Sequence, residues 1–103
     1  MISDISRATR FLKRRGRLNI YLDILSAIDV LSENGRYWAK FTRVMYMANM
    51  NPVRLKERLQ ELSYLNMIIW NEQGLRLTEK GRLFYKELRG VLEKFGILSA
   101  VKR

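Results

Sequence analysis

The chain has 103 residues, with 20 Lys and Arg against 10 Asp and Glu, no His and no Cys, for a formal net charge of +10. That length suits one domain with a small core, and the missing residue types exclude a disulfide framework, a zinc finger, a thiol nucleophile and imidazole acid–base chemistry. A basic chain with 48% apolar residues and no apolar run near the roughly 20 residues of a membrane span points to a folded, cytoplasmic domain with a polyanionic partner, duplex nucleic acid first.

The charge is uneven. Residues 1–17 hold Arg7, Arg10, Lys13, Arg14, Arg15 and Arg17 against Asp4, a net of +5. Residues 18–35 hold Asp23, Asp29 and Glu33 and no base, a net of −3. The segment 1–17 is set apart as a basic arm or short helix, with Ile5, Ala8, Thr9 and Leu12 sharing a helical face. Its uses stay open: an arm on DNA phosphates or in a groove, a packing segment, or a targeting or membrane-surface helix.

From Leu18 the apolar residues Tyr21, Ile24, Leu25, Ile28 and Leu31 recur at helical spacing, and Asn34-Gly35 ends that helix. Arg36-Tyr37-Trp38 reads as a short extended stretch. A second helix is expected over about Ala39–Met47, with Phe41, Val44, Met45 and Ala48 inward. A brief turn through Asn49 and Met50 follows. Asn51-Pro52 opens a third helix, with Asn as cap and Pro at the first helical position. Leu55, Leu59 and Leu62 form its inward face. Met67–Trp70 and Leu75–Leu77 flank the turn Asn71–Gly74 as a hairpin. Thr78 caps a fourth helix reaching about Phe95. The order is that of a winged helix-turn-helix: mainly α with a small β-hairpin, residues 18–77 as its body and 78–103 as a C-terminal dimerisation helix and tail.

The stretch Thr42-Arg43-Val44-Met45-Tyr46-Met47-Ala48-Asn49-Met50 resembles the helix-turn segment of archaeal winged helix-turn-helix DNA-binding proteins of the Sso10a type. Leu59-Gln60-Glu61-Leu62 and Leu77-Thr78-Glu79-Lys80-Gly81-Arg82 resemble that family's recognition-helix end and strand-to-helix junction. The likeness covers roughly Arg17 to Leu92. It implies a dimer, built through the last helix, that binds double-stranded DNA, and it would suit a small plasmid- or virus-borne archaeal protein. The basic extension is longer, and the last helix shorter, than that type leads one to expect.

In such an architecture the third helix enters the major groove by its N-terminal residues, here Asn51, Pro52, Val53, Arg54 and Arg58. Arg54 and Arg58 suit guanine and Asn51 suits adenine, while Lys56 lies to the side, toward phosphate. Lys40 and Arg43 on the second helix also suit phosphate, although Arg43 has the alternative of a carboxylate in its own fold. Tyr37, Trp38 and Tyr46 read first as packing residues, with the Tyr46 hydroxyl a further phosphate donor. Gln73 and Arg76 flank the wing tip. Arg10, Lys13, Arg14 and Arg15 are the arm's candidates.

Leu77, Gly81, Phe84, Leu88, Val91, Phe95 and Leu98 alternate spacings of 4 and 3, the pattern of a coiled-coil seam. Only the first turns are needed to cover the domain. Leu92 and Tyr85 widen the stripe, so Leu88, Val91, Leu92, Phe95 and Leu98 are expected to stand exposed in a monomer and, with Phe84, to form a homodimer interface. Two roles fit: a site-specific transcription regulator, or a nucleoid-associated or plasmid-partition protein that coats DNA by spreading, with further copies as partners. A protein-docking winged helix is the next class. With no His, Cys, phosphate-binding glycine loop or tight carboxylate cluster, no enzyme, cofactor or metal is expected.

Overall fold

The computed structural model describes residues 16–94. The arm bases Arg10, Lys13, Arg14 and Arg15 and the seam residues Phe95 and Leu98 lie outside them. The elements are α1 (Arg17–Leu31), α2 (Phe41–Met47), α3 (Pro52–Tyr64), β1 (Ile68–Asn71), β2 (Gly74–Leu77) and α4 (Glu79–Lys94). The architecture is mainly helical with one antiparallel hairpin, as the sequence implies.

Helix α1 places Tyr21, Leu22, Ile24, Leu25, Ala27 and Ile28 in the core. It stops because Glu33, Asn34 and Gly35 all take positive φ, one residue earlier than Asn34-Gly35 suggests. The Ser32 hydroxyl accepts the Gly35 amide hydrogen at 3.2 Å and steadies this turn.

The expected extended stretch Arg36–Trp38 shrinks to one β-bridge, Ala39 to Leu75. The two residues exchange N–H···O bonds of 2.9 and 2.8 Å. With Ala39 held there, α2 starts at Phe41 rather than at Ala39. The bridge also explains Gly74. A Cβ at that position would lie 2.4 Å from the Ala39 carbonyl oxygen, and its φ of +140° disfavours other residues.

Val44 and Ala48 carry α2 into the core, with Phe41 and Met45 packed at its edge. Asn49, at positive φ, turns the chain. Asn51 Oδ1 then accepts the Arg54 amide hydrogen at 2.8 Å, with Pro52 in the first turn. Leu55, Leu59 and Leu62 are fully buried, each contributing on the order of 1.5–3 kcal/mol.

The hairpin register pairs Ile68 with Leu77, Ile69 with Arg76 and Trp70 with Leu75. Ile68, Trp70, Leu75 and Leu77 thus share the face turned to the core, and Ile69 and Arg76 the outer face. Thr78 then makes the junction to α4. Its amide donates to Met67 O, its hydroxyl donates to Asn66 O and accepts from the Gly81 amide.

Helix α4 runs back along α1. Arg82 pairs with Asp29 at 3.1 Å, and the Tyr85 hydroxyl donates to Ser26 Oγ at 3.4 Å. The acids of α1 are therefore used within the fold at Asp29. This packing corrects the expectation that α4 stands exposed beyond its first turns. Leu92 is only 8% exposed in the chain's own core, as is Tyr85 at 7%, and Phe84 and Leu88 pack against that core. Gly81 is also internal: a Cβ there would lie 1.8 Å from Met67 O. Val91, 52% exposed, remains outside. So does Leu83, which the 4-3 spacing leaves out. The cause is geometric. One wide apolar stripe holds two faces, and 81, 85, 88 and 92 form the one turned to the core.

Candidate nucleic-acid interface

A helix advances 100° per residue, so the buried Leu55–Leu59–Leu62 line fixes where every other α3 side chain points. Directly opposite lie Val53, Glu57, Gln60 and Tyr64, all outside the core. Val53 is 68% exposed and Tyr64 87%, so neither is a packing residue. Lys56 lies on one flank of this stripe. Arg54 and Arg58 lie on the other, sharing a face as their spacing requires. That face, however, turns toward the first turn of α1 rather than squarely outward.

There the two arginines share a groove with Arg17. Arg17, Ile20, Met50, Arg54, Glu57 and Arg58 line an open groove of about 380 Å³ between the N-terminal halves of α1 and α3. Arg17 counts in the sequence only as part of the basic arm. Its place beside Arg54 needed the docking of α1 on α3 to be seen.

Arg58 is not free. Its Nη1 donates to Glu61 Oε1 at 2.9 Å and Oε2 at 2.8 Å, one turn on. Tyr21 O–H, from α1, donates to the same Oε1 at 2.6 Å. The Tyr21 bond, then the charges of Arg58 and Arg17, hold the Glu61 carboxyl below its usual range against the opposing effect of burial. Burial, then the bond and charge of Glu61, push the Tyr21 phenol up. Asn51 is similarly engaged: the Oδ1 that caps α3 is the atom a two-bond contact to adenine would need. Arg54, exposed, is free of any ion pair among the described residues.

A second group forms around the wing. The Arg76 guanidinium stands 4.2 Å over the Trp38 ring. It also donates to the carbonyls of Tyr37 and Arg36, each at 3.4 Å. The Arg76 side chain, which flanks the wing tip in the sequence, is thus folded back on the segment before α2. Trp38 packs as expected, and Trp70 stacks on Phe41 at 6.3 Å. Lys40 Nζ donates to Gln73 O at 3.3 Å, which joins the start of α2 to the wing tip. On α2, Arg43 is exposed and no carboxylate among the described residues pairs with it. Tyr46 is 78% exposed, not packed, so its hydroxyl is available.

Among the described residues no cluster of carboxylates could hold a metal ion, and no helix is long and apolar enough to cross a membrane. Compared with known proteins, the chain matches a family model described as winged helix-turn-helix over residues 14–95. No curated protein matches it.

Proposed function

Because the chain belongs to the winged helix-turn-helix family, we propose that it binds double-stranded DNA as a homodimer, with α3 in the major groove, and acts as a site-specific transcription regulator. The carrying observation is the state of α3. One face is locked into the core by three leucines, and the opposite face is open and edged by Arg54, Lys56 and Arg17. Such a helix offers side chains to base edges while the flanking cations take phosphates. Lys40, just before α2, and Arg43 and Tyr46 on α2 add donors, and residues 1–15, which precede Gly16 and Arg17 in the sequence, carry a further +4.

Support for the dimer lies on the flank of α4 that carries half-buried Phe84 and Leu88 and exposed Val91, and in the sequence spacing that Phe95 and Leu98 continue. This is the arrangement that a likeness to the Sso10a type implies. A two-fold pair would set two copies of α3 about 34 Å apart, on successive major grooves.

Selection of bound duplexes from random DNA, followed by footprinting, tests the role. A single inverted repeat with a footprint limited to it is expected. A footprint that extends with protein concentration from any start would replace regulation with coating or partition, and no retained duplex would overturn DNA binding itself.

A further inference from the structure

We infer that base preference is written by Val53, Glu57 and Gln60, with the arginines of α3 serving the phosphates. The inference rests on the DNA reading above and specifies which atoms it uses. Three observations carry it. Val53, Glu57 and Gln60 occupy the line opposite Leu55, Leu59 and Leu62, and all are open to solvent. Arg58 is turned aside by its two bonds to Glu61, itself held by Tyr21 of α1. Arg54 lines the α1–α3 groove with Arg17 and Arg58, on the flank of the stripe, and Glu57 of the stripe borders the same groove.

The chemistry of the stripe is specific. An exposed Val on the first turn has no packing role, and in the major groove it meets the C5-methyl of thymine. A Glu carboxylate repels phosphate but accepts from the cytosine N4 amine. A Gln carboxamide makes paired bonds to adenine N6 and N7. From residue 53 to 60 a helix advances about 10.5 Å, the length of about three base pairs. The expected half-site core therefore contains one thymine, one cytosine and one adenine contact within about three neighbouring base pairs, on either strand.

The test uses the full chain and the duplex that selection enriches. Val53→Ala, Glu57→Gln and Gln60→Ala are compared with Arg54→Ala and Arg17→Ala by titration against that duplex and its single-base variants. None of the five side chains belongs to the core, so circular dichroism should be unchanged. Each stripe variant is expected to lose discrimination at one base pair, about tenfold or more, and to keep it elsewhere. Replacing the contacted thymine by uracil should weaken the wild type and leave Val53→Ala unaffected. The two arginine variants should weaken all sequences alike and lower the salt slope. An unchanged motif in the stripe variants, or loss of a guanine preference in Arg54→Ala, overturns the inference while DNA binding stands. So does binding with no enriched motif. Failure of the wild type to bind any duplex removes the reading beneath it as well.

Discussion

Glu61 is one carboxylate that serves two helices. It accepts from Tyr21 on α1 and from Arg58 on its own helix, and both bonds are only partly shielded from water. Because its pKa is lowered in the fold, its contribution is present above the ordinary carboxylate range and is lost as the pH falls through the lowered value. The raised Tyr21 phenol has the opposite sign: its contribution is complete below the ordinary phenol range and is lost as the pH rises through the raised value. Tyr21→Phe should thus cost about 1 kcal/mol near neutral pH, a modest figure because the site is partly solvated. The gap to wild type should narrow in acid and in strong alkali. Urea melts across a pH series read this directly. An equal gap at every pH would mean that the hydroxyl contributes nothing through Glu61.

The two glycines of α4 make a sharper pair. Gly81 abuts the Met67 carbonyl, whereas a Cβ on Gly90 meets nothing within 4 Å. Gly81→Ala should therefore unfold the chain or force α4 away from β1. Gly90→Ala should stabilise it by roughly 0.5–1 kcal/mol, the ordinary gain of Ala over Gly in a helix. Thermal melts decide both. A neutral Gly81→Ala would contradict the observed approach of α4 to Met67.

Among the elements, α4 bears the most distinct predictions because its faces differ. Leu92→Lys buries a charge and should abolish folding, while Val91→Lys, next to it, is on an exposed face and should leave the monomer fold intact. Sedimentation equilibrium of Val91→Lys then isolates association. A dimer that survives it unchanged would place the interface off this flank. This is also where the sequence was hardest to read. A 4-3 spacing and a 3.6 core stripe overlap on one helix, and only the position of α1 tells them apart. Helix α3 was legible because it has a single narrow apolar line and Asn51-Pro52 marks its start by a local mechanism; α1 was legible as a helix, but it buries Leu22 and Ala27 beside the line of Tyr21, Ile24, Leu25 and Ile28. The stretch 36–38 was not, since β-favouring residues do not reveal that only Ala39 finds a partner on β2. The side chains of α3 were half legible. The exposed stripe follows from counting away from the leucines, but that Glu61, the partner of Arg58 one turn on, is also held by Tyr21, 40 residues away, does not. Arg76 failed in the same way, its guanidinium being drawn to the aromatic ring of Trp38, far back in the chain.

At the scale of the whole molecule, charge is distributed by use. Asp29 is neutralised by Arg82, Glu61 by Arg58 and Glu93 by Arg89, and residues 1–15 add a net +4 beyond these pairs. Deleting residues 1–15 removes Arg7, Arg10, Lys13, Arg14 and Arg15. The slope of log affinity against log salt should become shallower by up to about 0.9 for each phosphate that the shortened chain no longer neutralises. Sequence preference should not change. Equal slopes for the two forms would show that none of these bases meets a phosphate.

The groove at the start of α1 has a consequence for kinetics. Residues 1–15 join the body at Gly16, next to Arg17, and Arg17 shares the groove with Arg54. Fifteen residues reach at most about 50 Å, so on the proposed docking every arm base is leashed within that radius of the bound duplex. Its encounter with phosphate is then set by the length of the leash and no longer by how much protein is in solution. On that docking, a body that lets go of one groove would still be held through residues 1–15, and rebinding would be quicker than escape.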